Sequence, residues 1–558
     1  MPKLRAYQQE AIEAVIAARR AGVRRQLICL PTGAGKTVIF AELARLAKRP
    51  VLVLAHRREL VEQARDKLEH ALEGRRRVGI EQGAQTAAEQ AEVVVASIRS
   101  LHEERLARVL AGRRFGLIVY DECHHATAQD NRRVLETLGA FRADWQGTLL
   151  GFTATTQRGD GAGLDQVFER IVYEKALSEL IREEYLVPLR GYRIATAADL
   201  HRVSLAGDDL NLEELAEAVD IESRNDLVAR SIQELARDRR TIAFCVNVSH
   251  ARHLARALNA MGVATGIVHG EMKLEQRQQT LKSFRAGKLA ALTNVGVLTE
   301  GFDDPGVSCV AMARPTRSEG LYAQCIGRGT RLAPGKSDCL VLDFVDLSEL
   351  SLVALPSLAG LPPGVDLEGA RLDEAAARVA TFYDDNPGFE IDPGHITLAE
   401  IQRRAASFDP LSRRLEADIR ALTANAWFSL GAYGLGLHAF WTRTAERKGA
   451  PSELLILDQR QRGQARGKRW RVTLDGRELA RFSRLEEAVE AVDYELAKRG
   501  RACSDSAAPE AGWRLAEAPA ELLERVALTP SPGPAGGRGV SYGDALRLDA
   551  TQKYFKRR

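Results

Sequence analysis

Residues 1–348 alternate short apolar runs with longer segments of helical periodicity. The first set of apolar runs predicts buried β-strands at 26–30, 51–55, 93–97, 117–120 and 149–153. After a pause over 180–193, a second set predicts strands at 241–246, 264–268, 289–294, 307–311 and 340–344. Strands that alternate with helices in this way are typical of parallel sheets covered by helices. The predicted fold class is α/β, with two tandem parallel-sheet domains over 1–180 and 181–348.

The pattern changes after residue 348. Residues 349–400 begin with a segment rich in Leu, Pro and Gly and continue with helical spacing, which predicts a linker or helical strap. Residues 401–500 combine a helical segment with five short strand-like runs and a closing helix, which predicts a small α+β accessory module. Residues 501–558 are rich in Pro, Ala and Gly, so a loosely ordered tail is expected there.

The composition is that of an ordinary soluble globular protein, with 45% hydrophobic and 28% charged residues. The 79 basic and 75 acidic residues nearly balance, which excludes a histone-like polycation but allows local basic surfaces. The seven cysteines form no CxxC pair, so neither a disulfide framework nor structural zinc is expected. No apolar run approaches the roughly 18 residues of a membrane span, and the N-terminus lacks a signal-peptide core. These features predict a cytoplasmic protein with no membrane partner.

A glycine-containing loop, LPTGAGKT at 30–37, lies between a predicted strand and a predicted helix. Such a loop turns successive backbone N–H groups toward a phosphate, and the helix dipole adds to the attraction. Lys36 is expected to reach the β- and γ-phosphates, and the Thr37 hydroxyl to hold Mg²⁺. The residues expected to contact nucleotide are Thr32, Gly33, Ala34, Gly35, Lys36 and Thr37. Leu30 stands where the usual pattern has its first glycine, and the alternative is an ordinary glycine turn.

Two acidic residues follow the apolar run 117–120, at a strand end where α/β sheets place their ligands. Asp121 is suited to hold Mg²⁺, and Glu122 to orient and deprotonate an attacking water. The alternatives are a solvated turn for the acids and a capping or packing role for His124 and His125. Together with the phosphate loop upstream, the acidic pair predicts an ATPase that uses ATP and Mg²⁺.

Four motifs resemble motifs I, II, III and VI of superfamily 2 helicases: LPTGAGKT, DECH at 121–124, TAT at 153–155 and QCIGRGTR at 324–331. Their order and spacing also match, which implies two RecA-like domains over residues 1–348. LRAYQQEAI, LAHRREL, DECHHA and NVGVLTEGFDDP further resemble RadD-like and fungal mitochondrial branched-DNA helicases, relatives of the XPB-like and UvrB-like groups. Thr156 replaces the proline of TATP, and the cysteine-rich segment of RadD-like proteins is missing, which favours the fungal mitochondrial type.

The resemblance implies residues that hold the nucleoside part of ATP. Arg5 and Gln8 match the pair that recognises adenine ahead of motif I. A side-chain amide offers both a donor and an acceptor to the edge of that base. Asp303 matches the motif V acid near the ribose, and Gly301 matches the glycine that keeps the backbone close to the ligand.

The resemblance also implies catalytic residues in the second domain. Gln324, Arg328 and Arg331 match the glutamine and the two arginines of motif VI. They are expected to approach the γ-phosphate, with the arginines acting as fingers supplied within one chain. The alternative for this segment is a basic turn. By this scheme the catalytic set is Lys36, Asp121, Glu122, Gln324, Arg328 and Arg331.

Motif matches extend to residues that would track a nucleic-acid strand across both domains. Such contacts use hydroxyls, backbone N–H groups and basic side chains. The candidates are His56, Arg57, Arg58, Ser97, His269, Gly270, Thr293, Asn294 and Thr299. Two of them have a local alternative, since Ser97 can cap a helix and Thr299 can end a loop.

A basic segment in the accessory module is a further candidate for nucleic-acid binding. Residues 459–471 hold six basic and no acidic residues, and the strongest candidates are Arg462, Arg466, Lys468 and Arg469. Aromatic residues stand nearby at 427, 428, 433, 440, 441 and 470. Basic residues interleaved with aromatics suit a surface that pairs phosphates and stacks bases. The alternative is a solvated hairpin loop beside an ordinary aromatic core.

The combined features predict an ATP-dependent DNA helicase or translocase. The resemblance implies duplex, forked or branched DNA as the partner, a role in genome maintenance, and repair or defence proteins as further partners. Three alternatives remain open. They are the motor subunit of a restriction or phage-defence system, an RNA helicase, and a nucleotide-switched DNA-binding scaffold.

Overall fold

The computed structural model describes residues 4–56, 58–154, 163–207, 209–299, 301–348, 352–385, 395–406, 417–430, 434–441, 451–458, 469–511, 514, 516, 518–526 and 541–555. The chain divides into two compact units. The first unit comprises residues 1–376 and 393–395, and the second comprises 377–392 and 396–558.

The first lobe of unit 1 is a seven-stranded sheet with helices between its strands. Its elements are α1 (Ala6–Arg20), β1 (Arg25–Cys29), α2 (Lys36–Leu46), β2 (Val51–Ala55), α3 (Arg58–Leu72), β3 (Val78–Glu81), β4 (Val93–Ser97), α4 (Glu103–Leu110), β5 (Leu117–Tyr120), α5 (Gln129–Thr137), β6 (Thr148–Thr153), β7 (Arg170–Glu174) and α6 (Leu177–Arg182). The strand order is β3-β4-β2-β5-β6-β1-β7, with all pairs parallel. Strands β2, β4 and β5 are buried at every position, as expected for a parallel sheet covered on both faces.

The second lobe of unit 1 is a six-stranded parallel sheet. Its elements are β8 (Leu189–Asp199), β9 (Leu205–Ala206), β10 (Asp209–Leu210), α7 (Leu212–Val219), α8 (Glu222–Leu235), β11 (Arg240–Phe244), α9 (Val248–Ala260), β12 (Thr265–His269), α10 (Leu274–Arg285), β13 (Ala291–Val295), β14 (Val307–Met312), α11 (Glu319–Ile326) and β15 (Cys339–Leu347). The strand order is β12-β13-β11-β14-β15-β8. The α/β class with two tandem RecA-like parallel sheets is therefore confirmed.

Three strands of the two large sheets were not predicted from the sequence, namely β3, β7 and β8. All three lie at the edge of a sheet. An edge strand has one neighbour and keeps part of its surface in water, so β7 and β8 show mixed burial instead of a continuous apolar run. The predicted pause over 180–193 accordingly contains the start of β8.

A segment after the second sheet packs on its outer edge. The Arg190 Nε donates to the Gly369 carbonyl at 2.6 Å. A Cβ added at Gly191 would lie 2.4 Å from Leu355 Cδ2, so the Leu355 side chain packs directly against the backbone of β8. The remaining short elements between the sheets of the two units are β16 (Val365–Asp366), α12 (Leu372–Asp385), β17 (Ile396–Thr397) and α13 (Leu398–Ala406). Residues 352–376 thus belong to unit 1 as a strap on β8.

Unit 2 contains an antiparallel five-stranded meander with helices on it. Its further elements are α14 (Ala417–Leu422), β18 (Phe428–Ser429), β19 (Gly434–Ala439), β20 (Ser452–Asp458), β21 (Trp470–Leu474), β22 (Arg477–Phe482), α15 (Leu485–Lys498), α16 (Arg501–Ala507), α17 (Ala520–Arg525) and α18 (Tyr542–Phe555). The sheet follows chain order from β18 to β22. Its core joins strand residues to α15 and α16, for example Leu437, Ile456, Val489 and Cys503. This agrees with the predicted α+β module.

The described part of the C-terminal tail differs from the loosely ordered segment expected from composition. Helices α16, α17 and α18 lie there, and Cys503 and Ala507 are part of the core of unit 2. Ala550 is buried in a small cluster with Phe428 and Leu430. The Pro- and Gly-rich stretch 527–540 dominates the average composition and lies outside the described residues. In the described ranges we find no helix with the length and apolarity that a membrane crossing requires.

Candidate active site

The phosphate loop joins β1 to α2 through a backbone that needs glycine. Gly33 and Gly35 have φ values of 89° and 73°, in the left-handed region that side chains disfavour. A Cβ added at Gly35 would also lie 2.7 Å from Gln8 Nε2. Gly35 precedes α2 and offers no side chain to cap it, so the first N–H groups of α2 have no side-chain cap.

The loop suits an anion for a second reason. Thr32 is buried, and its Oγ1 has no hydrogen-bond partner. A buried hydroxyl without a partner is costly, whereas a phosphate oxygen placed at the loop would accept its hydrogen bond. Thr37 follows Lys36 in the first turn of α2, where an anion is stabilised by the helix dipole. These features fit the predicted nucleotide contacts of residues 32–37.

An ion pair connects the phosphate loop to the acidic pair after β5. Lys36 Nζ lies 2.8 Å from Glu122 Oε1, and both side chains are largely buried. Burial opposes the charge on Lys36, but Glu122 and then Asp121 outweigh it and raise the pKa of the ammonium above its ordinary value. Glu122 has a φ of 51°, a left-handed conformation that is strained for a non-glycine residue and typical of functional sites.

The two histidines after the acidic pair pack together near Glu122. His124 Nδ1 lies 3.5 Å from Glu122 Oε2. The rings of His124 and His125 have centroids 4.1 Å apart, and His56 stacks on His125 at 4.5 Å. The packing role considered for His125 is therefore observed. His56, predicted to contact nucleic acid, is intermediate in exposure and lies beside the acidic loop.

The arginines predicted as fingers share one backbone anchor. Arg328 Nη1 donates to the Phe302 carbonyl at 2.8 Å, and Arg331 Nη1 donates to the same oxygen at 3.1 Å. Arg331 also pairs with Asp303 Oδ1 at 3.0 Å. Burial favours the neutral acid, but Arg331 and then Lys67 outweigh it and lower the pKa of Asp303. Motifs V and VI are therefore tied to each other.

Motif VI packs directly on the phosphate loop of the first lobe. A Cβ added at Gly327 would lie 2.5 Å from Thr32 Cβ, and one added at Gly33 would lie 3.2 Å from Thr330 Oγ1. The positive charge of Arg328 is close enough to oppose, in small part, the rise that Glu122 and Asp121 cause in the pKa of Lys36. Gln324 is buried on α11, the helix that leads into this loop. Motif VI and the phosphate loop thus occupy one site.

Motif V makes two further contacts with α3 of the first lobe. A Cβ added at Gly301 would lie 2.7 Å from Leu60 Cδ2. Lys67 Nζ lies 3.0 Å from Asp303 Oδ2. Lys67 was missed by the sequence arguments, because nothing in the helical pattern of α3 distinguishes it from other exposed cations.

The predicted adenine pair lies beside the phosphate loop. Gln8 Oε1 accepts from the Arg5 backbone N–H at 3.0 Å, and Gln8 Nε2 donates to the Ala34 carbonyl at 3.4 Å. Tyr7, which the sequence arguments missed, donates its hydroxyl to the same Ala34 carbonyl at 2.6 Å. Arg5 Nη1 donates to the Tyr185 carbonyl at 3.1 Å. Tyr185 was also missed, since it lies in the stretch without periodicity before β8.

Four candidates for strand tracking are largely buried, which corrects the expectation that their side chains face a nucleic acid. Thr293 and Asn294 are fully buried, and they donate to the carbonyls of Ala251 and Ala243 at 2.9 and 3.2 Å. Thr299 donates to the Gly296 carbonyl at 2.8 Å. The buried side chains are those of Ser97, Thr293, Asn294 and Thr299. They hold strand ends and loops through internal hydrogen bonds and packing.

The other candidates in unit 1 have different surroundings. His269 is nearly buried and lies 4.0 Å from Glu271. Gly270 is exposed, and a Cβ there would meet nothing within 4 Å. Arg57 and the Arg58 side chain lie outside the described residues. The same is true of Thr155 and Thr156 in motif III.

In unit 2, four of the six aromatic residues near the basic segment form a core instead of a stacking surface. Trp427, Phe428, Phe440 and Trp441 are all buried. The Trp427 Nε1 donates to Asp493 Oδ1 at 2.9 Å. The alternative of an ordinary aromatic core is therefore correct for these four residues, and Tyr433 lies outside the described residues.

Of the four candidates in the basic segment of unit 2, the structure describes Arg469. The other three, Arg462, Arg466 and Lys468, lie outside the described residues. Arg469 donates twice to Asp458 Oδ2, at 3.0 and 2.6 Å, and its guanidinium lies 4.7 Å from the Trp470 ring centroid. Arg469 thus anchors the base of the hairpin. All seven cysteines are buried and unpaired, and the described ranges contain no group of three or more potential metal ligands.

Comparisons with known proteins match both lobes. The family model described as type III restriction enzyme, res subunit, matches residues 1–158, and the helicase conserved C-terminal domain matches residues 223–333. A Schizosaccharomyces pombe protein named as mitochondrial ATP-dependent helicase irc3 is 34% identical over 77% of this chain and 71% of its own length. A Saccharomyces cerevisiae protein named as ATP-dependent helicase IRC3 is 31% identical over 67% of this chain and 56% of its own length. The DNA 3'-5' translocase XPB2 of Sulfurisphaera tokodaii is 23% identical over 58% of this chain and 78% of its own length.

Proposed function

Because the chain belongs to the irc3 family of superfamily 2 ATP-dependent helicases, we propose that it uses ATP to translocate on or unwind duplex or branched DNA. The family makes it a nucleic-acid-binding helicase that consumes a nucleotide. The choice of DNA is supported by the name of the archaeal relative, a DNA translocase. A role in genome maintenance, with repair or defence proteins as partners, is the process we propose. We propose a reducing compartment such as the cytoplasm, because the seven cysteines form no CxxC pair and lie far apart in the sequence.

The observation that carries the proposed chemistry is the packing of motif VI against the phosphate loop, with Lys36 and Glu122 on one side and Arg328 and Arg331 on the other. Hydrolysis of a phosphoanhydride needs charge stabilisation on both sides of the transferred group. Here both halves of that requirement lie in one chain, on two lobes that can close around a substrate.

We assign the residues of the first lobe as follows. The loop residues 32–37 bind the phosphates of ATP, with Lys36 exchanging the Glu122 carboxylate for phosphate oxygens. That exchange leaves Glu122 able to accept a proton from the attacking water. Thr37 and Asp121 would hold Mg²⁺, which neutralises phosphate charge when it is bound. Gln8 and Arg5 hold the adenine.

The second lobe completes the proposed site. Arg328 and Arg331 stabilise the charge that develops on the transferred group, and Gln324 orients the loop that carries them. Asp303 and Gly301 lie near the ribose. Asp303 is anionic and forms ion pairs with Arg331 and Lys67. A movement of Asp303 would therefore also move Arg331, one of the two proposed arginine fingers.

For the nucleic acid, we propose contacts from groups that remain accessible or lie outside the described residues. In unit 1 these are His56 and the open backbone at Gly270, together with Arg57 and Arg58. In unit 2 they are Arg462, Arg466 and Lys468. Backbone groups of the motif V loop can still contribute where the side chains of Thr293, Asn294 and Thr299 do not.

The decisive experiment compares ATP hydrolysis by the full chain with single-stranded, duplex, forked and junction DNA and with RNA. We expect duplex or branched DNA to stimulate hydrolysis most strongly, and Lys36→Ala to abolish the signal with every nucleic acid. Strand displacement and triplex displacement assays on the same substrates separate unwinding from translocation. Stimulation by RNA alone would identify an RNA helicase, and slow hydrolysis with no displacement would identify a nucleotide-switched scaffold.

A further inference from the structure

The segment between the two lobes, residues 185–187, is held in a fixed conformation. It follows α6 and precedes β8, and we refer to it as the connector. The N–H groups of Tyr185 and Leu186 both donate to the Leu180 carbonyl, at 2.9 and 3.2 Å. Glu184, just before it, has a φ of 60°, which turns the chain sharply at the end of α6. The connector is therefore a structured turn between α6 and β8.

The first connector residue holds Arg5 beside the phosphate loop. Arg5 Nη1 donates to the Tyr185 carbonyl at 3.1 Å, and the guanidinium carbon lies 5.4 Å from the Tyr185 ring centroid. The Tyr185 ring also meets the Tyr7 ring edge-on at 4.8 Å. Tyr7 in turn donates to the Ala34 carbonyl at 2.6 Å. Arg5 Nη1 also donates to the Tyr7 hydroxyl at 3.4 Å, so Tyr185 positions Arg5 together with Tyr7.

The next two connector residues contact both halves of the catalytic site. Leu186 and Val187 are buried. A Cβ added at Gly33 would lie 3.3 Å from Leu186 Cδ2, so Leu186 lines the phosphate loop. The Val187 N–H donates to the Thr330 carbonyl at 2.8 Å. Thr330 lies directly before Arg331, in the loop that carries both proposed fingers.

We propose that Tyr185 is a positioning residue that makes turnover depend on the adenine base. It holds Arg5 for the base, and through Leu186 and Val187 it transmits that position to motif VI. Binding energy from a part of the substrate remote from the reaction then helps to place the fingers in the transition state. The inference rests on the nucleotide site proposed above.

The test compares steady-state hydrolysis of ATP and GTP, stimulated by duplex DNA, in the wild type, Tyr185→Ala and Tyr185→Phe. Phenylalanine is the matched control, because the ring and the backbone carbonyl carry the contacts to Arg5. We expect Tyr185→Ala to lower kcat/KM for ATP by roughly five- to thirtyfold, the range of a cation–π contact, through both kcat and KM. The kcat/KM for GTP should change little, so the preference for ATP shrinks. Tyr185→Phe should keep the wild-type preference.

A double-variant cycle checks the route through Arg5. Arg5→Ala should reduce the ATP preference to a similar extent, and the double variant with Tyr185→Ala should lose little more than the worse single variant. Thermal melting checks folding, and Tyr185→Leu replaces the alanine variant if that one does not fold.

Three results would overturn the inference. They are an unchanged ATP preference in the alanine and leucine variants, a lost preference in Tyr185→Phe, and a change in KM with an unchanged kcat. The last would limit Tyr185 to ground-state binding. ATP hydrolysis by Lys36→Ala distinguishes a failure of the connector inference from a failure of the proposed nucleotide site. If Lys36→Ala still hydrolyses ATP, the site itself is wrong. If Lys36→Ala is inactive while Tyr185 variants behave as wild type, only the connector inference fails.

Discussion

At the scale of single residues, the pair formed by Lys36 and Glu122 shows why both groups are charged in a largely buried place. Removing two charges from water is costly, and the 2.8 Å separation of Lys36 Nζ and Glu122 Oε1 offsets that cost. Removing either partner deprives the other, largely buried charge of its nearest opposite charge. The two substitutions nevertheless have different consequences for the reaction, because Lys36 acts on bound phosphate and Glu122 on the attacking water.

We predict that Lys36→Ala abolishes ATP binding, whereas Glu122→Gln binds ATP but hydrolyses it at least a hundredfold more slowly. The reason is that a positioned general base contributes roughly 10²–10⁴ to a rate, while the ammonium neutralises phosphate charge already in the ground state. Equilibrium binding of a fluorescent ATP analogue and single-turnover hydrolysis measure the two effects separately. Wild-type turnover in Glu122→Gln would show that another group acts as the base.

A second prediction concerns Arg328, which is nearly buried and donates to the Phe302 carbonyl. Arg328→Ala should leave ATP affinity nearly unchanged but slow hydrolysis by roughly 10³-fold, as for a missing arginine finger. Arg328→Lys keeps the charge without the planar fork and should recover only part of the rate. If Arg328→Ala instead loses ATP affinity and keeps its rate at saturating ATP, Arg328 is a ground-state ligand.

At the scale of elements, β15 links the second sheet to motif VI and to the strap. Asp343 on β15 accepts from the Tyr322 hydroxyl on α11 at 2.8 Å and from the Leu355 N–H at 2.7 Å. Burial raises its pKa to about 6, although both hydrogen bonds and Arg193 oppose that rise. One carboxyl therefore fixes the helix that leads into the arginine fingers.

The raised pKa gives a third prediction with a definite sign. The folded state binds the Asp343 proton more tightly than the unfolded state, so the stabilising effect is full below about pH 3.8 and is lost as pH rises through about 6. Relative to Asp343→Asn, which does not titrate, the wild type should lose about 2 kcal/mol of unfolding free energy between pH 4.5 and 7.5. Urea unfolding followed at both pH values measures this difference. Parallel pH profiles for the two proteins would contradict the prediction.

The elements themselves show which predictions from sequence succeed. The central strands of both sheets were predicted within a few residues, because strands buried on both faces are continuous apolar runs. The edge strands β3, β7 and β8 were missed, because one side of each faces water or a covering segment and the pattern is mixed. The helices α16 to α18 were missed because the local composition resembles a linker, while their burial depends on contacts with distant strands.

At the scale of the whole molecule, the chain combines a compact unit that contains the helicase motifs with a second compact, C-terminal unit. The first unit carries the proposed nucleotide site. The basic segment lies in unit 2, and its Arg469 forms an ion pair with Asp458 at the base of a hairpin. Binding to nucleic acid and binding to ATP should therefore be separable by substitution.

The fourth prediction tests this separation by replacing Arg462, Arg466 and Lys468 together with alanine. DNA binding should weaken, and the slope of log affinity against log salt should fall by roughly 0.7–0.9 per lost phosphate contact. ATP affinity should not change, and the preference for branched over linear DNA should decrease. Adding Arg469→Ala to the triple variant should change the salt slope little further, because its guanidinium already pairs with Asp458.

A matched control removes the same charge from elsewhere in unit 2. Arg484, Lys498 and Arg501 each have more than half of the side chain exposed, and their replacement by alanine should leave the salt slope nearly unchanged. Salt titrations of both triple variants by fluorescence anisotropy make the comparison. Equal slopes for the basic-segment variant and the wild type would identify a solvated loop.

The sequence by itself determined the local parts of the proposed catalytic site. The phosphate loop and the acidic pair each consist of neighbouring residues whose backbone geometry follows from glycine, from the end of a strand and from the start of a helix. Motif VI was identified in the same way. Their joint presence predicted an ATPase, and the order of the motifs predicted the two parallel sheets.

Only the tertiary structure decided which partners distant residues choose. Arg5 and Tyr185 are 180 positions apart and meet because the connector returns to the phosphate loop. Thr293 and Asn294 are polar in sequence, yet packing places them inside the sheet, where backbone carbonyls satisfy them. Trp427 and Arg469 likewise bind carboxylates of their own unit. The physical reason is that burial and hydrogen bonding depend on segments brought together by folding, which no local pattern specifies.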